Sequence, residues 1–316
     1  MKHLLNYSVM QDIGELPRNG EGLADIGCDG VELFTLFEKV PSVYMGISPS
    51  VHLPYAIDWY SGWMGTADLE EFDENNVKYM MFGRDRNEIV SNIRSAIIFA
   101  KEIKPAYGVF HASCTNLDEV MLREQKDNSK NVLKAFCEMV NQVVSGFKGN
   151  EPPFKLAFEN LWWSGLKLVD PWEYKFMDSH LEFSNWGFCL DTGHMMNMLP
   201  DAYDEETCVK RLLEIFGKYP EEMRKRIGTM HLHVSTSAEY RRTFKEEVRP
   251  PGEKMSDTVD RVYSHISKID QHRPFSKNGC KLLVDAISPD YITHEMSGTS
   301  TEQSIKNFIQ QRAHFP

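Results

Sequence analysis

Seven side chains able to hold metal ions or move protons stand where short apolar runs end: His52, His111, Glu159, Asp191, His194, His233 and Glu295. The clearest case is Phe188-Cys189-Leu190-Asp191-Thr192-Gly193-His194. There an apolar run ends in an acid, turns at Thr-Gly and presents an imidazole. Parallel α/β sheets display chemistry at the carboxyl ends of their strands. A carboxylate and imidazole set without thiolate suits Zn, Mn, Co or Fe(II). Taken singly, each residue has a structural explanation, such as Asp191 capping the following helix. Their recurrence at successive strand ends favours a metal centre. His231 and His233 lie two apart on the strand read at residues 227–234 and point the same way, one lining the site and the other filling the layer below. Glu32, flanked by apolar residues, reads either as support for a site or as an ion paired inside the protein.

The elements that must position these residues follow from periodicity. Strand patterns fall at residues 4–9, 30–34, 107–111, 155–160, 186–191, 227–234 and 291–296, and a Pro-bounded strand end carries His52. Helical stripes occupy residues 88–103, 131–144, 204–216, 259–269 and 303–309, with a helical piece at 22–26, while 281–287 reads as either strand or helix. Trp59, Tyr60 and Trp63 read as an aromatic loop near a strand end. The polar stretch 235–257 reads as a long loop over the site, either a lid or a solvated excursion. Strand alternating with helix, without linker or compositional break, predicts parallel β/α units. About eight such units predict an α/β fold, a (β/α)8 TIM barrel spanning residues 1–316 as a single domain. A doubly wound sheet would not explain polar residues at nearly every strand end, whereas a barrel converges them on one point.

Composition sets outer bounds. The chain has 316 residues, 41% hydrophobic and 26% charged, as in an ordinary globular protein. Its net charge of -11 argues against a general polyanion-binding surface, though bound cations or a local groove would offset it. The six cysteines show no C-x-x-C spacing and read as buried free thiols. No apolar run reaches membrane-spanning length and the N-terminus lacks an apolar signal core, so a cytoplasmic protein without membrane contact is expected. Homo-oligomerisation is compatible with the sequence.

These strand-end motifs resemble the xylose-isomerase-like TIM barrel superfamily, which includes sugar phosphate isomerases and epimerases and the endonuclease IV group (AP endonuclease family 2). In the isomerase and epimerase branches, the resemblance implies one metal on Glu159, Asp191, His233 and Glu295, with His194 contacting substrate. In the endonuclease branch it implies up to three metals. His52 in V-H-L-P-Y, His111 in V-F-H-A-S, His194, and the Asp270-Gln271-His272 pair then join the set. Two departures stand out. The first strand reads Asn6-Tyr7-Ser8-Val9 in place of G-x-H-x-S, and the D-x-H pair lies further from His233 than that branch would place it. A helix C-terminus with His272 near the last carbonyls explains the pair as well.

Two functions follow as expectations. The leading one is a metal-dependent isomerase or epimerase of a small sugar, polyol or sugar phosphate, working through a metal-stabilised enediolate. Glu159 and Glu295 would exchange the proton, Trp59, Trp162 and Trp163 would wall the sugar, and Arg241 or Arg242 would hold a phosphate. The alternative is a multinuclear phosphoesterase acting on abasic-site DNA or another phosphodiester. Both need one to three divalent cations, zinc, manganese or cobalt. The altered first strand and the Trp-rich mouth favour carbohydrate over nucleic acid.

Overall fold

A computed structural model describes residues 1–17, 22–250, 252–298 and 300–315. Eight parallel strands close into a barrel in chain order. They are β1 (Lys2–Ser8), β2 (Gly30–Phe34), β3 (Ser50–His52), β4 (Tyr107–His111), β5 (Lys155–Glu159), β6 (Trp186–Asp191), β7 (Ile227–His231) and β8 (Tyr291–His294). Pairing of β8 with β1 completes the ring.

These strands read as apolar runs because both of their faces are covered, one by the barrel interior and one by helices. All six residues of β6 are buried. Phe110 and Phe158 point outward from neighbouring strands against Phe136 of the Ser129–Val144 helix, with ring centroids 5.8 and 5.1 Å apart. Register then levels the polar strand ends. Phe34 pairs with His52, His111 with Glu159, and Asp191 with His231. The sheet therefore delivers acids and imidazoles to one mouth.

Several local expectations change. Residues 281–287 belong to a helix, Gly279–Ile287, whose Leu283 and Val284 are buried in the core. Trp59 and Trp63 lie on a short helix, Trp59–Met64, and both are core residues. The stretch 235–257 contains a helix, Ala238–Thr243. It is tethered by Arg123, which pairs with Glu246 at 2.9 Å and lies 4.6 Å from the Phe244 ring centroid; Pro251 of that stretch lies outside the described residues. Strands β7 and β8 end at His231 and His294, so His233 and Glu295 sit just beyond them. All six cysteines are free and buried. Among the described residues, no helix is long and apolar enough to cross a membrane.

Candidate metal centre

Glu159, at the end of β5, is 1% exposed and lies at the centre of the mouth. Its two oxygens face different partners. Oε2 is 3.2 Å from His52 Nε2 and 3.2 Å from His111 Nε2. Oε1 is 3.0 Å from His231 Nδ1 and 3.4 Å from His194 Nδ1. Burial alone would raise this carboxyl, but the facing His231 and His111 imidazoles hold it well below the usual carboxylate range.

Among the described residues, donor atoms gather in four groups, one of them the buried set Glu159, Cys189 and His231; the other three carry no thiol. His52, His111 and Glu159 form the first; Glu159, Asp191, His231 and Glu295 form the second; His194, His233, Asp270 and His272 form the third. In the second group, His231 Nδ1 is 2.7 Å from Glu295 Oε2 and 3.8 Å from Asp191 Oδ2. In the third, Asp270 Oδ2 is 3.2 Å from His194 Nε2 and 2.6 Å from His272 Nε2. His233 Nε2 meets Asp191 Oδ2 at 2.9 Å and its ring stacks on His272 with centroids 4.0 Å apart, so this histidine joins the second group to the third.

The local chain explains each placement. Asp191 caps the Thr192–Met196 helix, Oδ1 accepting from the His194 backbone N at 2.6 Å, which turns His194 into the mouth. Asn160 clamps the same strand end, accepting from Asp191 N at 2.9 Å and donating to Asp191 O at 3.1 Å. Asp270 and His272 arrive because Val234, just past β7, bridges to Arg273 and its N donates to the Arg273 carbonyl at 2.8 Å. Asp270 Oδ1 accepts from Asn197 at 3.1 Å, leaving Oδ2 to the two histidines.

The donor set fits divalent cations. Nδ1 of His52, His194 and His272 lies 2.8, 2.8 and 3.1 Å from the carbonyls of Leu53, Asn160 and Glu295. A carbonyl only accepts, so each Nδ1 carries the hydrogen and each ring, when neutral, turns an Nε2 lone pair into the mouth. That is how proteins orient metal-binding imidazoles. One buried atom of the site, His233 Nδ1, has no hydrogen-bond partner among the described residues.

Without a cation the group is balanced by protons. Burial opposes charging His272, yet Asp270 and then Glu295 push it up to about 10. His194 is likewise held protonated, by Asp191 and Asp270 acting against burial. A metal must displace such protons, so apparent affinity is expected to rise with pH below about 10. Competitive zinc titration at pH ~6 and pH ~8 checks this, with tighter binding expected at the higher pH. Equal affinity at both would contradict it.

Gly193 makes room for His233. A Cβ there would stand 2.0 Å from His233 Cε1 and 2.3 Å from its Nδ1. Gly193→Ala is therefore expected to displace the His233 ring and to cost about 1–3 kcal/mol. Thermal melting together with metal content checks this; a variant unchanged in both would contradict the packing argument.

The substrate-binding expectations divide. Trp162 and Trp163 wall a cavity of about 360 Å³ at the mouth, also lined by Tyr55, His111 and Glu295 and by Tyr263 and Ile266 of the Met255–Ile269 helix. Trp162 lies 5.2 Å from the His194 ring. Trp59 does not reach this cavity: it is 1% exposed, and its indole N–H donates to Ser113 O at 2.9 Å. Arg241 and Arg242 line a separate neighbouring cleft of about 1330 Å³, which shares Trp162 and Trp163 with the cavity. Asn160, Glu32 and His231, whose roles the sequence leaves open, belong to the frame of the site.

No protein-family model matches the chain, and no curated protein does. Solved structures do match. A D-tagatose 3-epimerase-like protein is 14% identical, with a TM-score of 0.55 over 99% of this chain and 97% of its own. Endonuclease IV from Thermus thermophilus is 13% identical, with a TM-score of 0.50 over 99% of this chain and 98% of its own. In fold, this chain is thus a (β/α)8 TIM barrel, an architecture it shares with endonuclease IV and the D-tagatose 3-epimerase-like protein.

Proposed function

We propose that this chain is a metal-dependent hydrolase of small phosphoesters, with side chains for up to three divalent cations such as Zn, Mn or Co. The observation that carries this reading is Glu159, whose Oε2 faces His52 and His111 while Oε1 faces His231 and His194. A carboxylate with donor side chains on both oxygens would suit a ligand shared between two cations better than a base that exchanges a substrate proton. One position would be held by His52, His111 and Glu159. A second would be held by Glu159, Asp191 and Glu295 with His233, whose Nε2 meets Asp191 Oδ2 at 2.9 Å, and a third by His194, Asp270 and His272. Divalent cations so held neutralise phosphoryl charge and lower the pKa of water.

The remaining residues shape what enters. Trp162 and Trp163 close one side, and Tyr55 stacks on His111 with centroids 4.7 Å apart, which fixes that imidazole. Tyr263 and Ile266 add a further part of the lining. A cavity of about 360 Å³ suits a small molecule.

The second reading, an isomerase or epimerase of a small sugar, polyol or sugar phosphate, is supported by the aromatic walls of that cavity. In it Glu159 and Glu295 are the proton-exchanging pair and His194 the substrate contact. One comparison separates the two. Chain reloaded with Zn, Mn or Co is given bis(p-nitrophenyl) phosphate and small phosphomonoesters, and in parallel a panel of ketoses and aldoses in deuterated water. Metal-dependent ester cleavage without deuterium uptake is expected; deuterium uptake without cleavage would favour the isomerase.

A further inference from the structure

Beneath the centre lies a buried column that the proposed chemistry does not use. Glu32, on β2, is 3% exposed. Its Oε2 accepts from Ser50 Oγ at 3.1 Å and from Tyr107 OH at 3.0 Å. Its Oε1 meets His231 Nε2 at 2.6 Å. The His231 ring is fully buried, and its other nitrogen stands 3.0 Å from Glu159 Oε1 and 2.7 Å from Glu295 Oε2. Tyr107 OH in turn lies 3.0 Å from Thr229 Oγ1 on β7.

A buried carboxylate that accepts from two hydroxyls has no need of a histidine for satisfaction. A buried histidine between carboxylates, however, must be told which way to turn. Glu32, accepting at Nε2, fixes the ring plane and the hydrogen on that nitrogen. His231 Nδ1 is thereby aimed at the two carboxylates of the centre. Every contact of Glu32 in the column comes from a barrel strand, so its geometry is set by sheet register, Asn6 pairing with Glu32, Glu32 with Ser50 and Asp191 with His231.

We infer that Glu32 and His231 are positioning residues for the cation position at Glu159, Asp191 and Glu295: Glu32 orients His231, and His231 fixes the rotamers of Glu159 and Glu295. This rests on the metal-binding part of the proposed function. It makes the carboxylate-rich position depend on a residue of β2 that reaches the cavity only at its floor. The His194, Asp270 and His272 position makes no direct contact with Glu32 or His231 and is expected to be independent of them.

The test uses the full-length chain and cobalt alone as probe. Co(II) is titrated into the native chain, Glu32→Gln, Glu32→Asp and His231→Gln, following the visible absorption of the bound ion, its stoichiometry and thermal melting in the presence of chelator. Glu32→Gln keeps the volume and removes the charge. It is expected to weaken one class of cobalt site about 10–100-fold and to change its spectrum, leaving the other sites as they were. Glu32→Asp, which keeps the charge, is expected to recover part of that affinity. His231→Gln should reproduce or exceed the Glu32→Gln effect, and the double variant should add little to it. If the native chain binds cobalt and Glu32→Gln binds it with the same affinity, stoichiometry and spectrum, the column is only packing and the inference is overturned. If all cobalt sites weaken together with a lowered melting temperature in chelator, a merely structural role is shown and the inference is again overturned. A native chain that binds no cobalt would instead overturn the proposed function, and the inference with it.

Discussion

Glu159→Gln is expected to lower metal-dependent activity by about 10²–10³-fold and to reduce metal content by more than one equivalent per chain. The physical reason is that one side chain serves two groups. His52 and His111 meet one oxygen, and His231 and His194 the other. A glutamine turns an N–H₂ toward one of those sides whichever way it is flipped. An amide is also a weaker ligand than a carboxylate for a divalent cation. The histidines then face a neutral group, and a charge that would balance a cation is gone from a buried part of the site. Elemental analysis, ester-cleavage rates and thermal melting of the variant check this together. A variant that retained full metal content, or lost a single equivalent with activity intact, would show that Glu159 does not bridge.

His111→Ala is expected to lose one equivalent of metal and about 10²-fold in ester cleavage, while the fold is retained. His111 pairs with Glu159 at 3.2 Å, and its ring stacks on Tyr55 at the edge of the cavity. Burial lowers its pKa, so the ring is offered to the site neutral, as a ligand must be. Under the isomerase reading, the single metal sits among Glu159, Asp191, Glu295 and a β7 histidine, and His111 is dispensable. The variant therefore separates a site with several cations from a site with one. Unchanged metal stoichiometry and turnover would remove the case for the first position.

Much of this site was legible in the sequence because a parallel barrel converts position along a strand into position in space. His52, His111, Glu159 and Asp191 each close an apolar run, and strand register brings them to the same level. The Asp-x-x-His spacing of Asp191 and His194 was legible for a related reason, since a cap and the first turn of a helix leave little freedom. What was hidden depends on contacts between distant segments. Asp270 and His272 could be read as a helix terminus, and only the bridge between Val234 and Arg273 places them beside His194. The two β7 histidines alternate correctly along the chain. Which one meets Glu159 depends on where β7 stops, and the strand ends at His231, two residues before His233. Trp59 fails as a cavity residue for a complementary reason: aromatic composition marks apolar surface to be buried, and a short helix turned this ring into the core. Arg241 was read as a phosphate anchor in the polar stretch that follows the β7 histidines. The helix that carries it turns toward the larger cleft instead, where its guanidinium hydrogen-bonds the Leu199 carbonyl at 2.5 Å.

Net charge could not decide the substrate. The chain carries -11, yet the mouth concentrates imidazoles among its carboxylates, so local and global charge answer different questions. Fold could not decide it either, because structures at 14% and 13% identity bear different chemistries in their names, a sugar epimerase-like protein and an endonuclease. The distinguishing information lies in how many donor groups converge on the mouth and whether Glu159 serves more than one of them.

The most direct test of that claim is metal content per chain, measured by elemental analysis on protein purified without chelator and again after reloading with Zn, Mn and Co in turn. About two to three equivalents per chain, falling together in Glu159→Gln, is the result expected of a centre bridged by that carboxylate. A single equivalent after every reloading, insensitive to His111→Ala, would contradict it and leave the mononuclear isomerase-like site as the better account.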